Sequence, residues 1–258
     1  MSHPPVRTAV VTGAARGIGA AVVDRLVAEG YGVVALDVCS GGPLATRADL
    51  DAVVARHGDA VVPVVADVRD RAALAGAVGV VVERWGRLDA AVGAAAVIHG
   101  GAPLWETPDD DLADLWDVDA RGVWNLAAVA VPAMLAGPDP SGCRFVAVAS
   151  AAGHQGLFHL AGYNAVKHAV VGMVRGLAAD LRGTGVTACT VSPGSTDTAM
   201  LRATAALYDV DVATLVAHQD LARVITPAEV AATVAHACSP AGAVLNGADV
   251  HADGGFAG

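Results

Sequence analysis

Short apolar runs alternate with longer amphipathic stretches along the whole chain, which predicts strands and helices in turn. Thr8–Thr12 is a β-branched run. A glycine-rich turn and an Ala/Val/Leu pattern of helical spacing follow it, reaching Glu29 before Gly30. Gly32–Leu36 predicts the next strand, closed by Asp37, and Asp49–His57 the next helix. Val61–Val65 and Asp70–Trp85 repeat the pair, as do Leu88–Ala96 and a single long helix over Asp109–Leu135. Acidic residues in the first turn of that helix suit its dipole. Phe145–Ser150, Leu160–Arg182, Val186–Val191, Pro227–Cys238 and a short strand at Ala248–Ala252 complete the series. Nearly continuous apolar strands between helices predict an α/β fold, a doubly wound parallel sheet covered on both faces. With no linker, repeat or low-complexity segment, residues 1–258 are expected to form one domain.

Composition narrows the function. Apolar residues make up 54% of the chain and charged ones 16%, so part of the surface is expected to meet other subunits. A net charge of −10 argues against a nucleic-acid partner. The uncharged stretch Phe145–Val166 is rich in polar residues, and Gly122–Gly137 is too short to cross a membrane. Cys39, Cys143, Cys189 and Cys238 are widely spaced and offer neither a zinc motif nor a disulfide framework. The start, Met1–Arg7, carries no signal-peptide pattern. A soluble, reduced, cytoplasmic protein is expected.

The chemistry concentrates at the predicted carboxyl ends of the strands, where ligands bind in such sheets. Gly13–Gly19 sits between a strand and a helix N-terminus and can cradle a phosphate. Asp37, about 20 residues further on, is placed to grip a ribose through its hydroxyls and to repel a 2′-phosphate, favouring NAD over NADP. Asp37 also suits a turn or helix cap. Lys167 is the single lysine of the chain, every other Lys+Arg position being arginine. A compact ammonium fits where a planar guanidinium does not. Tyr163 lies one helical turn earlier on the same face. Alone, such a pair also suits an ordinary helix surface, but Ser150 at a strand end can converge with it.

Together these residues resemble the NAD-dependent, single-domain type of the short-chain dehydrogenase/reductase family, over essentially the whole chain. Thr12-Gly13-x3-Gly17-x-Gly19 is similar to the family's coenzyme loop, and Asp67-Val68 to its adenine-contacting pair. Ser150 with Tyr163-x3-Lys167 is similar to the catalytic set. Ser192–Thr198 resembles the segment over the nicotinamide and pyrophosphate, and Asp253-Gly254-Gly255 the C-terminal signature. The resemblance implies a Rossmann fold, NAD as cofactor and interconversion of a secondary alcohol and a ketone. It implies cofactor contacts from Gly13, Arg16, Gly17, Ile18, Gly19, Asp37, Asp67, Val68, Ala94, Ala95, Tyr163, Lys167, Pro193, Gly194, Thr196 and Thr198. Catalysis would fall to Ser150, Tyr163, Lys167 and Asp119. Homotetramers through the two long helices and the last strand are also implied.

Two departures from the family pattern stand out. Gly93-Ala94-Ala95-Ala96 replaces an Asn-Asn-Ala-Gly, which predicts a looser coenzyme wall. Asp119 stands where the family has a catalytic Asn, and Asn125, six residues on, is expected to face elsewhere. Lys167 and an oxidised nicotinamide are expected to lower the Tyr163 pKa from about 10, while Asp119 would raise it. Substrate-facing stretches are expected at Ala151–Leu160, at Val97–Leu104 and in a helical lid over 198–223. Their residues are mostly apolar, Trp105 and Leu207 among them, with His99, His154, Gln155 and His159 as polar options. That predicts an apolar, cyclic substrate. The Phe145–Leu181 region resembles carveol-dehydrogenase-like members. A dihydrodihydroxybenzoate-like dihydrodiol dehydrogenase is the alternative, and a non-catalytic NAD-binding regulator a further one.

Overall fold

Strands built from Val, Ala and Leu have no side that can face water, so they pair in the interior under two layers of helices. A computed structural model describes residues 7–256. Residues 1–6, on which the reading of the chain start rests, lie outside it.

The chain runs through β1 (Arg7–Thr12), α1 (Gly17–Ala28), β2 (Tyr31–Asp37), α2 (Arg47–His57), β3 (Val61–Val65), α3 (Arg71–Trp85) and β4 (Ala90–Gly93). Then come α4 (Asp109–Leu115), α5 (Arg121–Leu135), β5 (Arg144–Val148), α6 (Ala161–Asp180) and β6 (Thr187–Pro193). The helices α7 (Ala199–Leu207), α8 (Val212–Val216) and α9 (Pro227–Cys238) precede β7 (Asp249–Ala252). All strand pairs are parallel, in the order β3-β2-β1-β4-β5-β6-β7. The predicted doubly wound Rossmann sheet is therefore present.

Alternate strand residues feed two cores. Val11, Val33 and Val146 pack with α1 and α9, whereas Val10, Val34 and Phe145 pack with α3, α5 and α6. The strand order reverses between β1 and β4, which opens a crevice at their carboxyl ends. Local signals fix several helix starts: Thr46 and Thr226 form capping boxes with Asp49 and Glu229. Asp70 accepts from the Ala72 and Ala73 amides at the head of α3.

Two expected elements come out differently. The strand over Leu88–Ala96 is paired only at Ala90–Gly93, because the Thr12 hydroxyl accepts the Ala94 and Ala95 amides at 3.1 and 3.3 Å and leads that segment out of the sheet. The single helix over Asp109–Leu135 is broken by a π turn at Trp116–Ala120, where the Arg121 amide reaches the Trp116 carbonyl. Such a turn inserts one residue into the helical path and turns Asp119 inward. Among the described residues no helix is long and apolar enough to cross a membrane.

Candidate active site

The crevice is a cavity of about 750 Å³. Gly13, Arg16, Gly17, Ile18, Gly19, Asp37, Asp67, Val68, Ala94, Ala95, Pro193, Gly194, Thr196 and Thr198 all line it, together with Ser150, Tyr163 and Lys167. Asp119 does not. Of the residues expected to act in catalysis or cofactor binding, it alone lies behind the wall.

At the nucleotide end the backbone supplies the fit. Gly13 has φ +64°, and a Cβ there would lie 2.7 Å from the backbone of Ala95. Only glycine allows β1 to turn this close to the opposite wall. Nor is that wall loose, since the single Thr12 hydroxyl takes over the tie that side-chain amides would have provided. Asp37 is buried at the end of β2, accepting from the Ala15 amide at 3.1 Å and the Cys39 amide at 3.2 Å. Its carboxylate is thus aimed before any ribose arrives. Asp67 pairs with Arg69 at 2.6 Å, and that hydrogen-bonded guanidinium holds its pKa below the usual carboxylate value. Arg16 reaches the Pro43 carbonyl at 2.6 Å. The glycine cradle and the fixed Asp37 fit the adenosine and pyrophosphate parts of NAD.

Asn125 does face away from the reactive centre, yet its role is specific. It is buried, donates to the Val68 and Arg69 carbonyls at 3.0 and 3.3 Å, and accepts from Arg71 at 3.1 Å. It therefore fixes the backbone behind the adenine-side residues. A lone amide in the apolar run of α5 was the available signal.

At the other end Ser150, just past β5, meets Tyr163 and Lys167 from the first turns of α6. The Lys167 ammonium lies 5.3 Å from the Tyr163 ring centroid. The Tyr163 hydroxyl points at the Met200 sulfur, 3.8 Å away. Lys167 and Asp119 form a buried pair, Nζ to Oδ2 3.0 Å, while Asp119 Oδ1 accepts the Val97 amide at 2.8 Å. The Val97 amide is the hydrogen-bond donor to Asp119, and Oδ2 meets the ammonium as an ion pair. Burial pushes its pKa up, opposed by Lys167 and the Val97 amide. Burial disfavours the charge on Lys167, but Asp119 and Tyr163 together raise its pKa.

The expected lowering of the Tyr163 pKa is not what the protein's own groups produce. Burial raises it, Lys167 and Ser150 work against that, and Asp119 adds to the rise. The burial of the phenol is what spacing alone could not show.

The remaining lining is apolar, with Val97, Ile98, Leu157, Leu160, Met200 and Leu201 prominent. His99, His154, Gln155 and His159 are absent from it, as are the expected Trp105 and Leu207. His99 is instead engaged by Asp114 at 2.9 Å, and Trp105 is 81% exposed. Polar lining comes from Thr204 on α7, Thr214 on α8 and His218 in the turn after it, a stretch whose register the sequence pattern left open.

A family model described as Enoyl-(Acyl carrier protein) reductase matches residues 13–257. The (-)-trans-carveol dehydrogenase of Rhodococcus erythropolis is 35% identical over 210 residues, covering 78% of this chain and 75% of the relative. The 1-deoxy-11-beta-hydroxypentalenate dehydrogenase of Streptomyces avermitilis is 37% identical over 201 residues, covering 78% and 72%. A crystal structure of carveol dehydrogenase from Mycobacterium avium in complex with NAD superposes with a TM-score of 0.90 at 28% identity, covering 97% of each chain. The chain belongs to the short-chain dehydrogenase/reductase family. The expectations of an oxidoreductase class and of NAD as cofactor are borne out.

Because Asp37 is positioned by two amides, Asp37→Ala should weaken NAD binding roughly tenfold to a hundredfold, the size of a charge-assisted hydrogen bond. It should also narrow the preference over NADP. Titration calorimetry with both cofactors checks this, and unchanged NAD affinity would contradict the assignment.

Proposed function

We propose that this protein is an NAD(H)-dependent dehydrogenase that interconverts a secondary alcohol and a ketone on an apolar, cyclic, uncharged substrate. The observation that carries the reading is the meeting of Ser150, Tyr163 and Lys167 in the same cavity as the glycine cradle. NAD⁺ supplies the acceptor for the hydride that leaves the carbinol carbon. Tyr163, as phenolate, takes the hydroxyl proton of that alcohol and returns it to the carbonyl oxygen in reduction. Ser150 donates a hydrogen bond to the same oxygen as charge develops there. The charge on Lys167 favours the phenolate, and its ammonium would also hold the nicotinamide ribose.

The apolar lining supports an uncharged substrate. Arg16 and Arg69 are the arginines that line the cavity, and both are engaged at the nucleotide end. Among the described residues a carboxylate-bearing dihydrodiol therefore has no arginine partner near Tyr163, and the one ammonium there, Lys167, is already paired with Asp119. The carveol relative is named for an uncharged cyclic alcohol, which supports this reading, whereas the hydroxypentalenate relative is named for a carboxylate and supports only the hydroxyl-bearing apolar skeleton. The stretch 198–223, with α7 and α8, is read as the lid, and Met200 over the Tyr163 hydroxyl as the residue that substrate must displace. A cytoplasmic location is supported by four unpaired cysteines.

In this reading Asp119 is a positioning residue, touching Lys167 but neither substrate nor cofactor. A carboxylate 3.0 Å from the ammonium offsets the charge that Tyr163 feels. The structure also leaves Leu112, Trp116, Trp124 and Leu135 exposed along α4 and α5, between 42% and 56%. A second copy covering this face in a homotetramer accounts for them.

Spectrophotometric NADH formation from a panel of cyclic secondary alcohols should reveal turnover, and Tyr163→Phe should lower kcat by roughly 10²–10⁴-fold while NAD still binds. No turnover with any alcohol, beside tight NAD binding, would favour the regulator reading. For Asp119 the sign is fixed: phenolate forms above the Tyr163 pKa, so a raised pKa moves the rising limb of oxidation to higher pH. Asp119→Asn removes the negative charge and should move that limb to lower pH; superimposable pH–rate profiles would sink the idea. Light scattering during size-exclusion chromatography should give four times the chain mass, and Trp124→Glu should reduce it. A monomeric wild type would remove the tetramer from the reading.

A further inference from the structure

Outside the cavity, three ligand-type side chains meet where the loop after β5 crosses β7. His154 follows the short turn at 151–153, His251 lies on β7, and Asp253 comes one residue after it. None of the three lines the cavity. Asp253 Oδ2 is 3.3 Å from His154 Nε2 and 4.0 Å from His251 Nδ1. The cluster's candidate ligand atoms all lie within 4.8 Å of one another.

What surrounds Asp253 and His251 leaves one free atom on each. Asp253 Oδ1 is occupied by the Gly255 amide at 3.1 Å, which leaves Oδ2. Asp249 Oδ2 stands 3.3 Å from His251 Nε2, which leaves Nδ1. Asp249 is itself fixed by the Thr190 and Ser192 hydroxyls at 2.8 and 2.6 Å. A carboxylate that keeps this contact as the ring turns would favour the tautomer whose other nitrogen carries the lone pair, the arrangement found behind metal-bound histidines. His154 Nε2 is buried and has no hydrogen-bond partner.

We propose that His154 Nε2, His251 Nδ1 and Asp253 Oδ2 form a binding site for a divalent transition-metal ion. Two imidazoles and one carboxylate suit Zn²⁺, Co²⁺ or Ni²⁺ better than the hard, oxygen-seeking Mg²⁺ and Ca²⁺. Three protein ligands leave a fourth position for water. In the structure the two rings stack, centroids 3.8 Å apart and planes 9° from parallel. Stacked rings cannot aim in-plane lone pairs at one point, so His251 has to turn to close the site. Its side chain is 48% exposed and has room to do so. The ion would act as a brace. It would tie the loop after Ser150 to the segment that packs on Gly194, where an added Cβ would come 2.6 Å from the Asp253 carbonyl.

The test uses tag-free full-length protein, stripped with EDTA and titrated with ZnCl₂ and with CoCl₂. Calorimetry should give one ion per chain, and Co²⁺ should develop visible d–d absorption. His251→Ala should lose this binding, with circular dichroism and NAD affinity showing that the variant is folded. Asp249→Asn should weaken it roughly 10–100-fold, the cost of losing a supporting carboxylate. His236→Ala, at an exposed histidine outside the cluster, should bind as wild type does. The proposal is overturned if wild type takes up no ion, or if His251→Ala binds it equally well.

Discussion

Parallel strands all present their carboxyl ends on the same edge, and the cavity of this protein follows from that constraint. The reversal of strand order between β1 and β4 leaves the sheet edge uncovered there, so a long ligand can lie across it. Gly13 follows β1, Asp37 ends β2, Asp67 follows β3, Ser150 follows β5 and Gly194 follows β6. Residues far apart in the chain become neighbours without any long loop. The two apolar cores hold this geometry from either side.

Within that frame, Lys167 sets the difficult electrostatic problem. A buried ammonium is costly unless it is paired, and the pair is stable only when the partner's remaining acceptors are also used. Asp119 meets both conditions through Lys167 and the Val97 amide. The same carboxylate weakens the influence of Lys167 on Tyr163. Stabilising the cation and activating the phenol therefore pull against each other in one small volume.

Much of this was legible from the sequence. Motif order and spacing located the glycine cradle, Asp37, Ser150, Tyr163 and Lys167, since each sits at a strand end or a first helical turn whose position apolar periodicity predicts. What stayed hidden depends on which way side chains point in three dimensions. The direction of the Tyr163 shift required knowing that the phenol is buried. The histidines of the loop after Ser150 were open to either a substrate contact or a packing role, and His154 points away toward β7. The wall at Ala94 and Ala95 looked slack because its side chains are bare, although the backbone amides carry the tie to Thr12.

The π turn at Trp116–Ala120 is a matter of counting as much as of chemistry. In a regular helix each residue advances the azimuth by about 100°, so one extra residue in the turn reorients what lies beside it. Asp117 projects to solvent and pairs with Arg121, whereas Asp119, two positions on, is sealed against Lys167. The electrostatics of the reactive centre are thus written partly in backbone register. A single residue of helical phase decides whether a negative charge belongs to water or to the lysine.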